Sequence, residues 1–73
     1  MRCYFNLVDS QHSFADQHGV HVADLDEARS LALEAVAETI RDDEAIGWRG
    51  WRLEAANASG AVLFTIRLDE LQV

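Results

Sequence analysis

The stretch that most constrains the fold is DLDEARSLALEAVAETI, which predicts a capped amphipathic helix beginning after Asp24. Asp24 is the natural N-cap, because its carboxylate can accept hydrogen bonds from the free backbone N–H groups of the first turn. Glu27, three residues later, completes a variant of the capping box. Gly47 is the predicted stop, so we expect the helix to extend to about residues 43–45.

The two faces of this predicted helix differ in chemistry. Residues spaced at helical period form a mainly apolar stripe, which favours packing of the helix against a sheet. This stripe contains Leu25, Ala28, Ala32, Ala35, Val36, Thr39 and Ile40. The opposite face carries an acidic row of Glu27, Glu34 and Glu38. We interpret the row as a solvated surface, with partner binding as the alternative.

The segments on both sides of the helix favour strands. RCYFNLV at 2–8 predicts a first strand, and a weaker second strand, in one piece or two, is expected within 13–23. Between its pieces we predict a turn at 16–19 in which Gly19 supplies a positive φ. Beyond the helix, alternating apolar residues on both sides of NASG at 57–60 predict a hairpin that begins near Trp51.

This order predicts the fold class: an α+β protein with a two-layer ββαββ architecture, in which one amphipathic helix packs on one face of an antiparallel sheet. A chain of 73 residues is expected to form a single domain, 1–73. No second helix covers the other sheet face. Tyr4, Val8, Ala56 and Leu63 are expected to leave that face partly apolar, which favours a homodimer.

The net charge of the chain and the length of its apolar stretches narrow the classes of partner it can bind. The formal net charge is −7, and all six basic residues are arginine, so binding to nucleic acid or to an anionic membrane surface is disfavoured. No stretch approaches the roughly 20 apolar residues that span a bilayer. The N-terminus MRCYFNLVDS does not have the pattern of a signal peptide, so we predict a cytoplasmic protein.

Few residues suggest catalytic or metal chemistry. His12, His18 and His21 are metal-capable, but their spacing is not that of ligands on one helix, and we interpret them as loop side chains. A metal-binding or small-ligand-binding regulator that uses this histidine loop is the alternative. Cys3, the only cysteine, is expected to be a small buried hydrophobe. Without a nucleophile–base pair or a glycine-rich phosphate loop, the sequence predicts neither an enzyme nor a cofactor.

The segment WRGWR combines aromatic and arginine side chains, which are enriched at binding hot spots. Trp51 continues the apolar face of its strand, so we expect it in the core. Trp48 is expected to be partly exposed and is the better candidate for contact with a partner. The predicted partner-binding residues are Trp48, Arg49, Tyr4 and Arg52.

Three segments together resemble a family of small uncharacterised bacterial proteins, known best from rhizobial and other alphaproteobacterial genomes. They are CYFNLVD, the pattern D-x-x-G-x-x-x-x-D-L-D-E-A-R-x-x-A at 16–32, and NASGAVLFTI after a tryptophan-led strand. Asn6 stands where many members have histidine. The resemblance covers nearly the whole chain and implies the fold, but no activity. The matching residues are Tyr4, Phe5, Asp9, Asp16, Gly19, Asp24, Leu25, Ala28, Ala32, Trp51, Gly60, Val62 and Leu63.

A partial likeness points to a class of function. Residues 2–40, with DLDEA at 24–28, are similar to HicB-like antitoxin domains, which also run from a β-hairpin into a helix with an acidic cap. By analogy this likeness implies protein binding. We therefore predict a small cytoplasmic protein-interaction module that binds a protein partner or a second copy of itself.

Overall fold

The computed structural model describes residues 1–42 and 47–71. It confirms the predicted fold class, an α+β protein with an antiparallel sheet and one main helix. The weak second strand forms as two short pieces, and a short C-terminal helix was not predicted. The elements are β1 (Arg2–Val8), β2 (Ser13–Phe14), β3 (Val20–His21), α1 (Leu25–Asp42), β4 (Arg52–Ala56), β5 (Val62–Arg67) and α2 (Leu68–Leu71).

The strand order is β2-β1-β4-β5, and β3 also pairs with β1. All of these pairings are antiparallel. Leu7 lies opposite Phe14 in β2, and Cys3 lies opposite Val20 in β3, so the chain after β1 runs back along that strand. Within the described ranges, β2 and β5 are therefore the two ends of the main sheet.

One face of the sheet forms the core with α1. The strand register places Phe5, Ala55 and Phe64 in one row across the sheet, and Leu7, Leu53 and Ile66 in the next. Side chains two apart on a strand share a face, so both rows face the same side. The fully buried residues of α1 that meet this face are Ala28, Ala32 and Val36.

The helix stripe is confirmed at its centre and wrong at its start. Leu25 is 50% exposed, because it lies in the first turn and the buried stripe begins one turn later, at Ala28. The predicted cap is present: the Glu27 N–H donates to Asp24 Oδ1 (2.8 Å), and the Ala23 N–H donates to Glu27 Oε1 (3.0 Å). The predicted helix end at 43–45 lies outside the described residues.

The other sheet face is more polar than the sequence suggested. Val8 and Ala56 are buried there and Tyr4 is half-buried, but the centre of the face holds a polar row in which Glu54 pairs with Asn6 and Thr65. Arg52 lies opposite Arg67 on this face. Leu63 lies at a β-bulge and packs against the core instead. A continuous apolar face is therefore not present among these residues.

Candidate functional site

Aromatic side chains gather at the end of the sheet where β2 pairs with β1. The ring of Trp51 stacks with those of Phe14 and His12, with centroid distances of 5.8 Å and 6.1 Å. Trp48 meets Trp51 edge-on at 5.5 Å. Such aromatic contacts add specific geometry to their apolar area. We call Leu7, His12, Phe14, Trp48 and Trp51 the aromatic patch.

The aromatic patch lines an open cleft of about 320 Å³. Its members differ in burial: Phe14 is 61% exposed, Trp51 is half-buried and Trp48 is only 7% exposed. The cleft therefore has a buried floor and an exposed aromatic wall. Contiguous exposed apolar surface on a soluble protein marks an interaction site more often than a single exposed side chain does.

A tight turn at 47–50 shapes the patch. Gly47 and Gly50 have φ values of 69° and 79°, which only glycine adopts at little cost. The Trp51 N–H donates to the carbonyl oxygen of Trp48 (3.2 Å), and the Leu68 N–H donates to that of Trp51 (3.0 Å). The turn thus directs Trp48 into the core and leaves Trp51 at the rim.

The predicted role of Trp48 is wrong, and that of Trp51 is correct only in part. Trp48, expected to be exposed, is in the core, whereas Trp51, expected in the core, is half-buried and stacks with exposed rings. The physical reason is that β4 begins at Arg52. Trp51 therefore belongs to the turn before the strand, where it packs against the rim of the core beside Leu7.

The other predicted partner-binding residues do not form one surface. Arg49 is exposed in the same turn as the two tryptophans. Arg52 Nε donates to Glu54 Oε2 (3.0 Å) on the other sheet face. Tyr4 lies against the turn at Gly19, where an added Cβ would be 2.9 Å from Tyr4 Cε1. Of the four residues, the structure brings together only Trp48 and Arg49.

The acidic row on α1 is solvent-exposed. Glu27, Glu34 and Glu38 are all exposed, and Glu27 has a structural role in the capping box. Neither Glu34 nor Glu38 lies near the aromatic patch cleft. A partner-binding role for this row stays a prediction.

The three histidines lie apart. His12 Nδ1 is 3.2 Å from Asp9 Oδ1 at one end of β1, whereas His21 lies opposite Arg2 at the other end. Arg2 Nη1 also donates to the His18 carbonyl oxygen (2.5 Å). Within residues 1–42 and 47–71, no group of three or more histidine, cysteine or acidic side chains is placed to hold a metal ion. A small-ligand role for this loop stays a prediction.

Asp16 is a key residue that sequence reasoning treated only as part of a turn. Its Oδ1 accepts the N–H groups of His18 and Gly19 (3.0 Å each), and its Oδ2 accepts the Phe5 N–H (3.2 Å). Its own N–H donates to Asn6 Oδ1 (2.8 Å). Asp16 thus ties the chain to β1 between β2 and β3, and so holds β2 and the aromatic patch in place.

The pKa values of Asp16 and Cys3 are shifted in opposite directions. Burial alone would raise the pKa of Asp16, but the N–H groups of Gly19, Phe5 and His18 outweigh it and lower the pKa. Burial raises the pKa of the Cys3 thiol, which is fully buried. A thiol of this kind is a poor nucleophile. The prediction that Cys3 is a small buried hydrophobe is confirmed.

A second groove lies between α1 and β5, and we call it the edge groove. It has a volume of about 430 Å³ and is lined by Arg29, Leu33, Thr65, Ile66, Arg67 and Glu70. The guanidinium of Arg29 lies 5.6 Å from the ring centroid of Phe64. Arg67 forms ion pairs with Asp69 (3.3 Å) and Glu70 (3.5 Å).

The fold and these surfaces define a small α+β protein in which one helix covers an antiparallel sheet and an aromatic patch lies at one end of that sheet. The chain belongs to the family described as domain of unknown function DUF6894, whose model matches residues 2–69. No curated protein matches the sequence, and no solved structure matches the fold. No helix among the described residues is long and apolar enough to cross a membrane.

Proposed function

We propose that this protein is an interaction module that docks a partner protein through the aromatic patch. The observation that carries the proposal is Phe14, which is 61% exposed while it stacks with Trp51 beside an apolar cleft. Fully burying a phenylalanine side chain is worth about 1.5–3 kcal/mol relative to leaving it exposed. Because Phe14 is 61% exposed, a partner that covers it gains roughly that share of this free energy.

The surroundings of the cleft favour one kind of partner segment. The cleft walls are aromatic and aliphatic, which suits insertion of a single apolar anchor side chain. Arg49, exposed in the adjacent turn, is placed to contact a carboxylate beside that anchor. We therefore expect the partner to present an apolar residue next to Asp or Glu.

Two features of the whole chain support protein binding over other classes of function. A net charge of −7 disfavours nucleic acid and anionic membranes, which agrees with a protein partner in the cytoplasm. The partial likeness of residues 2–40 to HicB-like antitoxins adds support by analogy. No catalytic role is proposed.

The test is selection of a random peptide library, displayed on phage, against the immobilised protein. We expect enriched peptides to share an apolar residue beside Asp or Glu, and to bind Phe14→Ser at least about tenfold more weakly. Leu25→Ser is the matched control, because Leu25 is similarly exposed (50%) but lies in the first turn of α1. Equal binding to the Phe14→Ser variant, or failure to enrich any sequence, would contradict the proposal.

A further inference from the structure

The edge of β5 is the longest exposed strand edge that the structure describes. β5 has six residues and, within the described ranges, pairs only with β4. The backbone N–H and C=O groups on its other side therefore have no strand partner there. An exposed edge of this length is a template for pairing with another strand, unless charges, proline or a bulge prevent it. Its bulge lies at the start of the strand, and Phe64–Arg67 runs regularly.

Exposed apolar side chains lie along this edge both on the sheet and on the helix that covers it. Val62 is 52% exposed on β5 and Leu33 is 42% exposed on α1, where it lines the edge groove. Glu34 and Glu38 follow Leu33 by one and five residues, so they project about 100° and 140° away around the helix. The helix flank beside β5 therefore does not carry Glu34 and Glu38, although the exposed Asp26, seven residues before Leu33, lies on the same stripe in the first turn.

We propose that the β5 edge binds a second copy of this chain, with antiparallel pairing of the two β5 strands into one continuous sheet. A two-fold axis perpendicular to the sheet leaves each side chain on the same face in both copies. Residues directly opposite each other in antiparallel strands also share a face. The register must therefore pair one residue of β5 with itself.

The side chains favour Thr65 as that central residue. In this register Thr65 meets its own copy, and Phe64 lies opposite Ile66 of the second copy on the helix-covered face. Leu33 lines the edge groove together with Thr65, so it lies on the helix side of the same stretch of the β5 edge. A register centred on Phe64 would instead bring together the two Arg29 guanidinium groups, which lie over the Phe64 rings. Like charges repel there, so this register is less favourable.

The charges on the edge are compatible with a second copy despite the net charge of −7. Arg67 is already paired with Asp69 and Glu70 of its own chain, so this group carries a net charge of −1. In the Thr65 register Arg67 lies opposite Leu63 of the second copy, so the two groups sit at opposite ends of the paired strands. In the Thr65 register the remaining facing positions are apolar or threonine. The surface is self-complementary, as a two-fold interface must be. It is also independent of the proposed function, because the aromatic patch lies at the β2 end of the sheet.

The first test is the mass in solution of the full chain and two variants, measured by sedimentation equilibrium at micromolar concentrations. We expect the wild type and Phe14→Ser to sediment at twice the 8.2 kDa chain mass, and Leu33→Glu to sediment as a monomer. A monomeric wild type overturns the inference without affecting the aromatic patch. A Leu33→Glu variant that stays dimeric also overturns it.

The second test does not depend on whether Leu33→Glu folds. Thr65→Cys is oxidised and analysed on a non-reducing gel, with native Cys3 silent because it is fully buried. Opposed Cα atoms in an antiparallel pair are about 4.5–5.5 Å apart, which is within disulfide range. We expect most of the Thr65→Cys chains to form a covalent dimer. Ser10→Cys, exposed in the turn after β1, is the control. Equal cross-linking of both variants overturns the register.

Discussion

Replacing Asp16 with alanine is expected to destabilise this protein more than any other single carboxylate deletion among the described residues. The change removes the acceptor for three backbone N–H groups, those of Phe5, His18 and Gly19. Hydrogen bonds to charged groups contribute about 1.5–3 kcal/mol each. Because Asp16 is half-buried and the bond from His18 is exposed, we discount the sum. The expected loss is about 2–4 kcal/mol of the free energy of unfolding.

A loss of that size is large for this chain. Domains of 60–100 residues lose about 4–8 °C in Tm for each kcal/mol, so we expect Asp16→Ala to melt roughly 8–32 °C lower. The assay is urea and thermal unfolding at neutral pH, followed by tryptophan fluorescence. Glu34→Ala is the control, because it removes an exposed helix carboxylate and should change stability by less than about 0.5 kcal/mol. Equal stabilities of the two variants would refute the reasoning.

The pH dependence provides an independent check on the same residue. The pKa of Asp16 is lowered from its ordinary value of 3.8, so the ionised carboxylate stabilises the folded state. That contribution is fully present above pH 3.8 and is lost as the pH falls through the lower folded-state pKa. The stability difference between wild type and Asp16→Asn should therefore shrink in acid. A difference that is constant or grows as the pH falls would contradict this role.

The remaining predictions concern a turn and the two tryptophans. Gly19→Ala should cost about 2 kcal/mol or more in unfolding free energy, because Gly19 has a φ of 72° and faces Tyr4. Gly60→Ala, at a φ of 89° with open space around it, should cost only about 1–2 kcal/mol in the same urea titration. If both variants lose equal stability, the contact with Tyr4 is not significant. In acrylamide quenching, Trp48→Phe, which retains Trp51, should be quenched more strongly than Trp51→Phe. The reverse order would contradict the burial of Trp48.

The parts of the fold that could be predicted from the sequence are those fixed by local chemistry. The N-cap at Asp24 depends on residues three apart, and the register of the β4–β5 hairpin depends on a short turn. The apolar stripe at helical spacing also predicted which side of α1 meets the sheet, and Ala28, Ala32 and Val36 of that stripe are fully buried.

The roles of the tryptophans could not be predicted in this way. The turn that buries Trp48 is held by contacts with the C-terminal segment: the Leu68 N–H donates to the Trp51 carbonyl oxygen, and the Gly50 N–H donates to Asp69 Oδ2 (3.4 Å). Periodicity in a short window contains no information about these contacts. Gly47 and Gly50, on either side of Trp48 and Arg49, were the only local sign that the chain turns before β4 begins.

The aromatic patch was also beyond local reasoning. Phe14 and Trp51 lie on opposite sides of α1 in the sequence and meet only because β1 pairs with both β2 and β4. Asp16 was visible as a turn residue, but its bond to the Phe5 N–H depends on the interruption between β2 and β3. When a side chain accepts a hydrogen bond in place of a strand's backbone, the sequence shows no periodic pattern. Neither periodicity nor composition therefore reveals the role of Asp16.

The two ends of the sheet differ in a way that limits assembly. β2 has only two residues, and beyond it the Asp16 side chain takes the position of the next paired strand residue. That end offers almost no continuous backbone to an incoming chain, whereas β5 offers six residues. A molecule with two long edges can polymerise into an open-ended ribbon. A molecule with one such edge stops growing after a single pairing, so we expect this asymmetry to limit assembly through β5 to a dimer.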